Sequence, residues 1–308
     1  MRIIKFILFI ILTVVLIFLI YNLVIQKYNN NSNKLLSPLA DVISSNINKI
    51  QNKNLKNIVE KELAETEGEY AVVIKNLKTN EKYYYNEHKV FEPGSLYKLW
   101  VMGEVFNRIK NGKISEDDTL EQDVAVLNEK FHIATESAEK TDGKITFNVK
   151  EALSEMITAS DNYAALLLAE KIRLFNVSAF LKTNNFSESA LGEPPKTTAY
   201  DMMLFFEKLY KGELVNPEYS GKMMELLKGQ KLNGKLPKYL PVDAVLAHKT
   251  GEINNFSHDG GIVFLAEGDY IIVVLSKGKY RKTLDEGIAR ISKAVYEYFI
   301  KAGFKVEN

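Results

Sequence analysis

"FEPGSLYKLWVMGEVF", residues 91–106, decides how this chain is read. Pro93 and Gly94 interrupt what comes before, and neither glycine nor proline recurs until Gly103, so Ser95 falls at the start of a helix. Three residues make about 300° of helical turn, which puts Ser95 and Lys98 on one face. Backbone N–H groups at a helix start lack intrahelical partners, so the Ser95 amide can point at a developing oxyanion. A serine hydroxyl is a poor nucleophile until a base takes its proton, and Lys98 is the only base within one turn. With an ordinary lysine pKa near 10.4, roughly one amine in 2,500 is neutral at pH 7, a cost of about 4.6 kcal/mol. Burial and a second cation both favour the neutral amine, so the chemistry calls for another lysine close by. Taken alone, the stretch equally fits a capping serine followed by a solvated lysine, and Ser137–Lys140 and Ser276–Lys279 repeat its spacing.

Two distant stretches change that balance. "LAHKTGEINNF", residues 246–256, offers Lys249 on an expected strand, followed by Thr250 and Gly251. "ASDNYAALLL", residues 159–168, places Ser160, Asp161 and Asn162 at the junction of two helical runs. Singly, these are a strand end and a helix-capping turn. Together, a serine–lysine helix start, a polar junction 65 positions after Ser95 and a lysine strand 89 positions after that form a far more specific combination.

Composition narrows the chemistry further. The 308 residues, 46% hydrophobic, suffice for one large core or two lobes sharing a cleft. Forty basic against thirty-nine acidic residues leave a net charge of +1, with no electrostatic footprint for nucleic acid. The absence of cysteine excludes disulfides, thiolate metal sites, a thiol nucleophile and lipidation at an N-terminal cysteine. His88, His132, His248 and His258 show no metal-binding spacing, so neither a metal nor another cofactor is expected. Catalysis must then use hydroxyls, amines and carboxylates.

The chain opens with a long apolar run in which, from Phe6 to Ile25, only Thr13, Tyr21 and Asn22 are not plainly apolar. Twenty helical residues span about 30 Å, the thickness of a bilayer core. No small-x-small cleavage site follows, so residues 6–26 read as an uncleaved single-pass anchor rather than a signal peptide. Arg2 and Lys5 set residues 1–5 in the cytoplasm and the remainder outside it, although Lys27 weakens the asymmetry. Residues 27–54, rich in Asn, Lys and Ser, read as a stalk, and residues 55–308 as the functional domain.

Within that domain a helix is expected over 55–65, then a hairpin through "EYAVVIKNLKTNEKYYYNEHKVF" turning at Lys-Thr-Asn-Glu. A largely helical middle runs from Ser95 to about Gly229. Strand character returns in "DAVLAHKTG", "GGIVFLAEG" and "DYIIVVLSKG". A closing helix over 284–301 carries Ile288, Ile291, Val295 and Tyr298 as one stripe. Strands at both ends around a helical middle imply an α/β (α+β) fold. Its antiparallel sheet is flanked by N- and C-terminal helices, an all-helical lobe is inserted, and the active site lies in the cleft between them.

The three motifs, in this order and context, resemble those of the serine β-lactamase and penicillin-binding protein superfamily, and most of all its class A β-lactamase-like branch. The resemblance covers residues 55–308 and extends to the "HKTG" and "HDGGIV" stretches. It implies that Ser95 is the acylated nucleophile and Lys98 its base. Ser160 relays a proton to the leaving amine, and Lys249 holds that relay and the substrate carboxylate in a positive field. Asn162 binds the substrate's amide side chain and Thr250 its carboxylate. The backbone N–H groups of Ser95 and Glu252 form the oxyanion hole. Gly251 lets an extended peptide lie along the strand edge. A glutamate at 252 is an unusual occupant, since a side chain turned inward would repel an anionic substrate.

The chain departs from this branch in "NNFSESALGEPPKTTAYDM", where the loop that carries the deacylating glutamate looks shortened. Glu193 with Pro194 echoes that glutamate, but Lys196 leads almost at once into Thr197 and Thr198, so Glu193 reads as a solvated loop residue. The resemblance therefore implies a D,D-peptidase-like, penicillin-binding serine hydrolase or acyl transferase acting on D-alanyl ends of peptidoglycan stem peptides. The alternatives are a class A β-lactamase using Glu193 on β-lactams, and a catalytically silent wall-binding module.

Overall fold

The computed structural model describes residues 54–303, so the expected cytoplasmic end, the anchor over 6–26 and nearly all of the stalk lie outside the described residues. Among the described residues no helix is long and apolar enough to cross a membrane. The stalk's last residue, Asn54, already belongs to the first helix, α1 (54–64), one position earlier than expected at both ends.

The sheet joins segments from both ends of the domain. Strands β1 (Glu69–Asn76), β2 (Lys82–Tyr85), β5 (Val245–Ile253), β6 (Phe256–Phe264) and β7 (Tyr270–Lys277) lie antiparallel in the order β2-β1-β7-β6-β5, so β5 is an edge strand. The first hairpin pairs Val72 with Tyr85 and Lys75 with Lys82, and Asn76 Oδ1 ties its turn by accepting from the Lys78 and Thr79 amides. Alternation along β1 and β7 splits the interior in two. Val72, Ile74, Ile272 and Val274 pack under α1 and the closing helix α9 (Arg281–Gly303), against Leu55, Ile288, Ile291 and Val295. Ala71, Val73, Ile271 and Val273 face the inserted lobe. The expected stripe on α9 is joined by buried Phe299, while half-buried Tyr298 packs against the same cluster and its hydroxyl donates to Glu81 at 2.6 Å.

Two strands are displaced toward each other relative to the sequence expectation, each keeping nine residues. β5 continues past Gly251 and β6 begins before Gly260, with Ile253 opposite Phe256 across a two-residue turn at Asn254 and Asn255. Asn254 adopts a left-handed φ of 47°, which asparagine tolerates, and so closes the hairpin.

The inserted lobe is helical except for one ribbon, a correction to the all-helical expectation: β3 (Thr119–Asp123) pairs with β4 (Lys144–Asn148). Its helices are α2 (Tyr97–Lys110), α3 (Val124–Lys130), α4 (Val149–Ser154), α5 (Asn162–Ile172), α6 (Leu174–Thr183), α7 (Ala199–Tyr210) and α8 (Pro217–Lys228). α2 is central, with Leu99, Trp100, Val101, Met102 and Val105 fully buried. Gly103 is required there by packing, because a Cβ would lie 2.3 Å from the Phe180 ring of α6.

Candidate active site

Ser95 sits in a 3₁₀ turn, Gly94–Leu96, that leads directly into α2, with Lys98 in the first α-helical turn. The turn is pressed onto β5. A Cβ on Gly251 would stand 2.6 Å from the Pro93 carbonyl oxygen and 3.2 Å from the Leu96 nitrogen, and one on Gly94 would stand 2.8 Å from the Glu252 nitrogen. Gly251 is thus needed first for the approach of the serine turn itself, whatever a substrate does along the edge. The same contact sets Gly94, the residue before Ser95, against the Glu252 backbone.

His258 on β6 fixes the turn from behind. Its Nδ1 accepts from the Ser276 amide at 3.1 Å, so Nε2 carries the hydrogen and donates to the Glu92 carbonyl at 2.7 Å. Burial pushes His258 down to about 4, although its bond to Glu92 pulls the other way, so it is neutral at physiological pH.

Ser160 is presented by an irregular junction. α4 runs into a single π turn, Glu155–Ala159, and Ser160 then takes a left-handed conformation at φ 61° and ψ 28°. For a residue with a Cβ this costs about 1–3 kcal/mol, held by surrounding contacts. Asp161 caps α5, accepting from the Ala164 amide at 2.7 Å, while Gln230 and Lys231 bond to the Ile157 and Thr158 carbonyls, each at 2.9 Å.

Both buried amines converge on the Ser160 hydroxyl. Lys249 Nζ donates to Ser160 Oγ at 2.9 Å, and Lys98 Nζ lies 3.3 Å from the same atom. Lys98 also donates to the Ser160 carbonyl at 2.6 Å and to Asn162 Oδ1 at 2.7 Å. The second amine is expected to favour a neutral Lys98 and to hold the Ser160 relay, and the atom the two amines share is Ser160 Oγ. The Ser95 hydroxyl makes no side-chain hydrogen bond among the described residues. Lys98 and Lys249 are both fully buried. Burial pushes Lys98 down to about 8, against the pull of Asp161 and Glu139. Lys249 goes down to about 7, through burial first, then the charge of Lys98 and more weakly that of Lys235. At about 8, roughly a tenth of the Lys98 amines are neutral at pH 7, so the 4.6 kcal/mol cost falls to about 1.4 kcal/mol.

Glu139, Lys235 and Arg281, which the motifs did not single out, bind the side chains of Asn162 and Glu252. Glu139 accepts from Asn162 Nδ2 at 2.5 Å, so both ends of that amide are engaged in the resting site. The adjoining residue is pinned: Tyr163, beside Asn162, donates to the Lys140 carbonyl at 2.7 Å and accepts from its amide at 3.0 Å. The Glu252 carboxylate is held by two cations, its Oε1 on Lys235 Nζ at 2.7 Å and its Oε2 on Arg281 Nη1 at 2.8 Å. Burial alone would raise its pKa, yet Lys235 and then Arg281 hold the carboxyl below its usual range. Thr250, buried at 3% exposure, lies on the same face of β5 as Glu252.

Glu193 is bonded to none of these groups. It occupies the tip of a hairpin closed by reciprocal backbone bonds of 2.9 Å between Ala190 and Lys196, is exposed, and makes no hydrogen bond or ion pair among the described residues. The hairpin is tied to the strand before Ser95 through Phe91 and Thr197, but its acidic side chain is not.

A serine one turn before a buried amine, with that amine and a second one meeting on a neighbouring hydroxyl, fits a serine hydrolase. Comparison with known families specifies it further: the family model of the β-lactamase enzyme family matches residues 52–299, and the chain belongs to that family. No curated protein matches the chain. Among solved structures, a β-lactamase from Sphaerobacter thermophilus DSM 20745 is similar, at 19% identity and a TM-score of 0.70, over 80% of this chain and 96% of that one. PBP-A aligns at 20% identity and a TM-score of 0.71, over 80% of this chain and 96% of its own. A PBP-A mutant is known as an acyl-enzyme complex with penicillin G, and aligns at 20% identity and a TM-score of 0.71 over 81% of this chain and 97% of its own.

Proposed function

We propose that the chain is a D,D-peptidase-like, penicillin-binding serine acyl transferase or hydrolase, acting on D-alanyl ends of peptidoglycan peptides and acylated by β-lactams without fast turnover. The observation that carries the slow turnover is the placement of Glu193, an exposed residue with no bond to Lys98, Asn162 or Ser160. A general base has to reach its water, and losing a positioned one costs about 10² to 10⁴ in rate. The likeness to PBP-A, a mutant of which holds penicillin G as an acyl-enzyme, supports the same reading.

In this mechanism neutral Lys98 takes the Ser95 proton as Oγ bonds to the carbonyl carbon. The negative charge that develops on the carbonyl oxygen lies between the Ser95 and Glu252 amides, which the contacts of Gly94 and Gly251 hold together. On collapse the C–N bond breaks, and the leaving nitrogen receives the Ser160 hydroxyl proton. The adjacent amines restore that proton, since both lie on Ser160 Oγ at 2.9 and 3.3 Å. Lys249 and Thr250 receive the substrate carboxylate, and Asn162 its acyl amide once Glu139 yields the Nδ2 donor. Water or an acceptor amine then releases the acyl group from Ser95. The proposal also places residues 6–26 in the membrane as an anchor, with the catalytic domain outside the cytoplasm.

The test is steady-state turnover of a chromogenic cephalosporin by the full chain. One fast stoichiometric burst followed by little further hydrolysis is expected. Sustained rapid hydrolysis overturns the reading in favour of a β-lactamase.

A further inference from the structure

Glu252 forms part of a charged cluster that the acyl-transfer steps do not use. Its two oxygens are divided between two cations, Lys235 at 2.7 Å and Arg281 at 2.8 Å, the fork in which a pair of cations would receive a carboxylate from outside. The Lys235 side chain is only 4% exposed, so it is a built part of the site, and its amine also donates to the His258 carbonyl at 3.4 Å. The Glu252 side chain is 40% exposed, so it can be displaced into solvent. Period-two alternation puts Glu252 on the face of β5 that carries Thr250, the residue proposed to meet a substrate carboxylate. Lys235 and Glu252 lie near enough to Lys249 for their charges to act on its amine.

We infer that Glu252 is an internal carboxylate occupying an anion subsite made by Lys235 and Arg281, so that a carboxylate-bearing ligand must displace it, and that Glu252 thereby sets the enzyme's discrimination against anionic substrates. The inference takes from the proposed function only the kind of ligand, an acyl-D-alanine carboxylate. The chain's own acid competes with the ligand's for two cations, one of which, with so little exposure, has no strong alternative in water. Removing the Glu252 charge leaves that pair of cations with an unmet demand for an anion. Asp285, at 3.8 Å from Lys235, meets only part of it.

The experiment uses the full chain carrying Ser95→Ala, so that binding is read without chemistry. Calorimetry compares N-acetyl-D-alanyl-D-alanine with its C-terminal amide, in the Glu252 parent and in Glu252→Gln. The Gln variant keeps side-chain length and an oxygen for buried Lys235, and matching melting curves check its fold. The dissociation constant of the acid form should fall at least tenfold in Glu252→Gln, that of the amide form should stay within twofold, and adding Arg281→Ala should return the gain. An unchanged acid form, an equal change for both forms, or no measurable binding of the acid form to either protein overturns the inference. Failure of the function proposal would show separately, as wild-type chain that penicillin does not acylate, while the difference between acid and amide binding would still be read.

Discussion

The two buried amines make acylation pH-dependent in a form that can be calculated. The mechanism needs Lys98 neutral, to take the serine proton, and Lys249 charged, to supply the Ser160 relay and hold the substrate carboxylate. The two cations repel, so the pair loses its protons in two coupled steps, at about 7 and about 8, and carries a single proton between them. That singly protonated pair, which includes the working combination, peaks at about pH 7.5. Two pH units to either side it falls about twentyfold, on the acid side because Lys98 is protonated and on the alkaline side because Lys249 is not. The assay is the second-order rate of labelling by a fluorescent penicillin, quenched early, from pH 5.5 to 9.5. A bell with both limbs inside this window is expected. A rate flat across the window, or still climbing toward the ordinary lysine range, would refute the pairing of roles.

Other substitutions follow from the same contacts. Lys249→Met should lower acylation by at least a hundredfold yet raise the melting temperature at pH 7. A lysine whose folded pKa lies below its unfolded one opposes folding while protonated, so stability rises with pH between about 7 and 10.5 and the variant's advantage should shrink over that interval in pH-stepped melts. Glu139→Gln removes a charge that holds Lys98 up, so the acid limb of the labelling profile should move to lower pH; no movement would uncouple Glu139 from the amine. Gly251→Ala drives a Cβ to 2.6 Å from the Pro93 carbonyl, and overpacking of this kind costs about 1–3 kcal/mol. Its labelling should drop at least tenfold, a loss that normal labelling in an equally stable variant would contradict. Glu193→Gln should leave acyl-enzyme lifetime within twofold in a chase experiment, whereas a lengthened lifetime would restore Glu193 as the deacylating base.

What was legible in the sequence was local in origin. Pro93-Gly94 before Ser95, the polar break at Ser160-Asp161-Asn162 and the strand around Lys249 each announce their conformation within a few residues, and their order implied one cleft. Pairing of the first hairpin with the last strands was legible because strand patterns occur only at the domain's two ends. The β5–β6 turn was hidden because Asn254 closes it without a glycine, leaving "INNF" looking like continuous loop. The convergence of both amines on Ser160 depends on a π turn and a left-handed serine, neither of which has a residue pattern of its own. Glu139 and Lys235 escaped because each reaches the site from a loop and its partner is set by tertiary contact: Asn162 is 23 positions from the first, and Glu252 is 17 from the second.

The central claim is a serine acylated at position 95 and released slowly for want of a positioned base. Intact-mass analysis of the full chain after penicillin addition, followed over hours and mapped by peptide digestion, tests it most directly. The account predicts one adduct of the whole penicillin mass, on the peptide bearing Ser95, persisting through the time course. An adduct on another residue, none at all, or one that clears within the mixing time would contradict it.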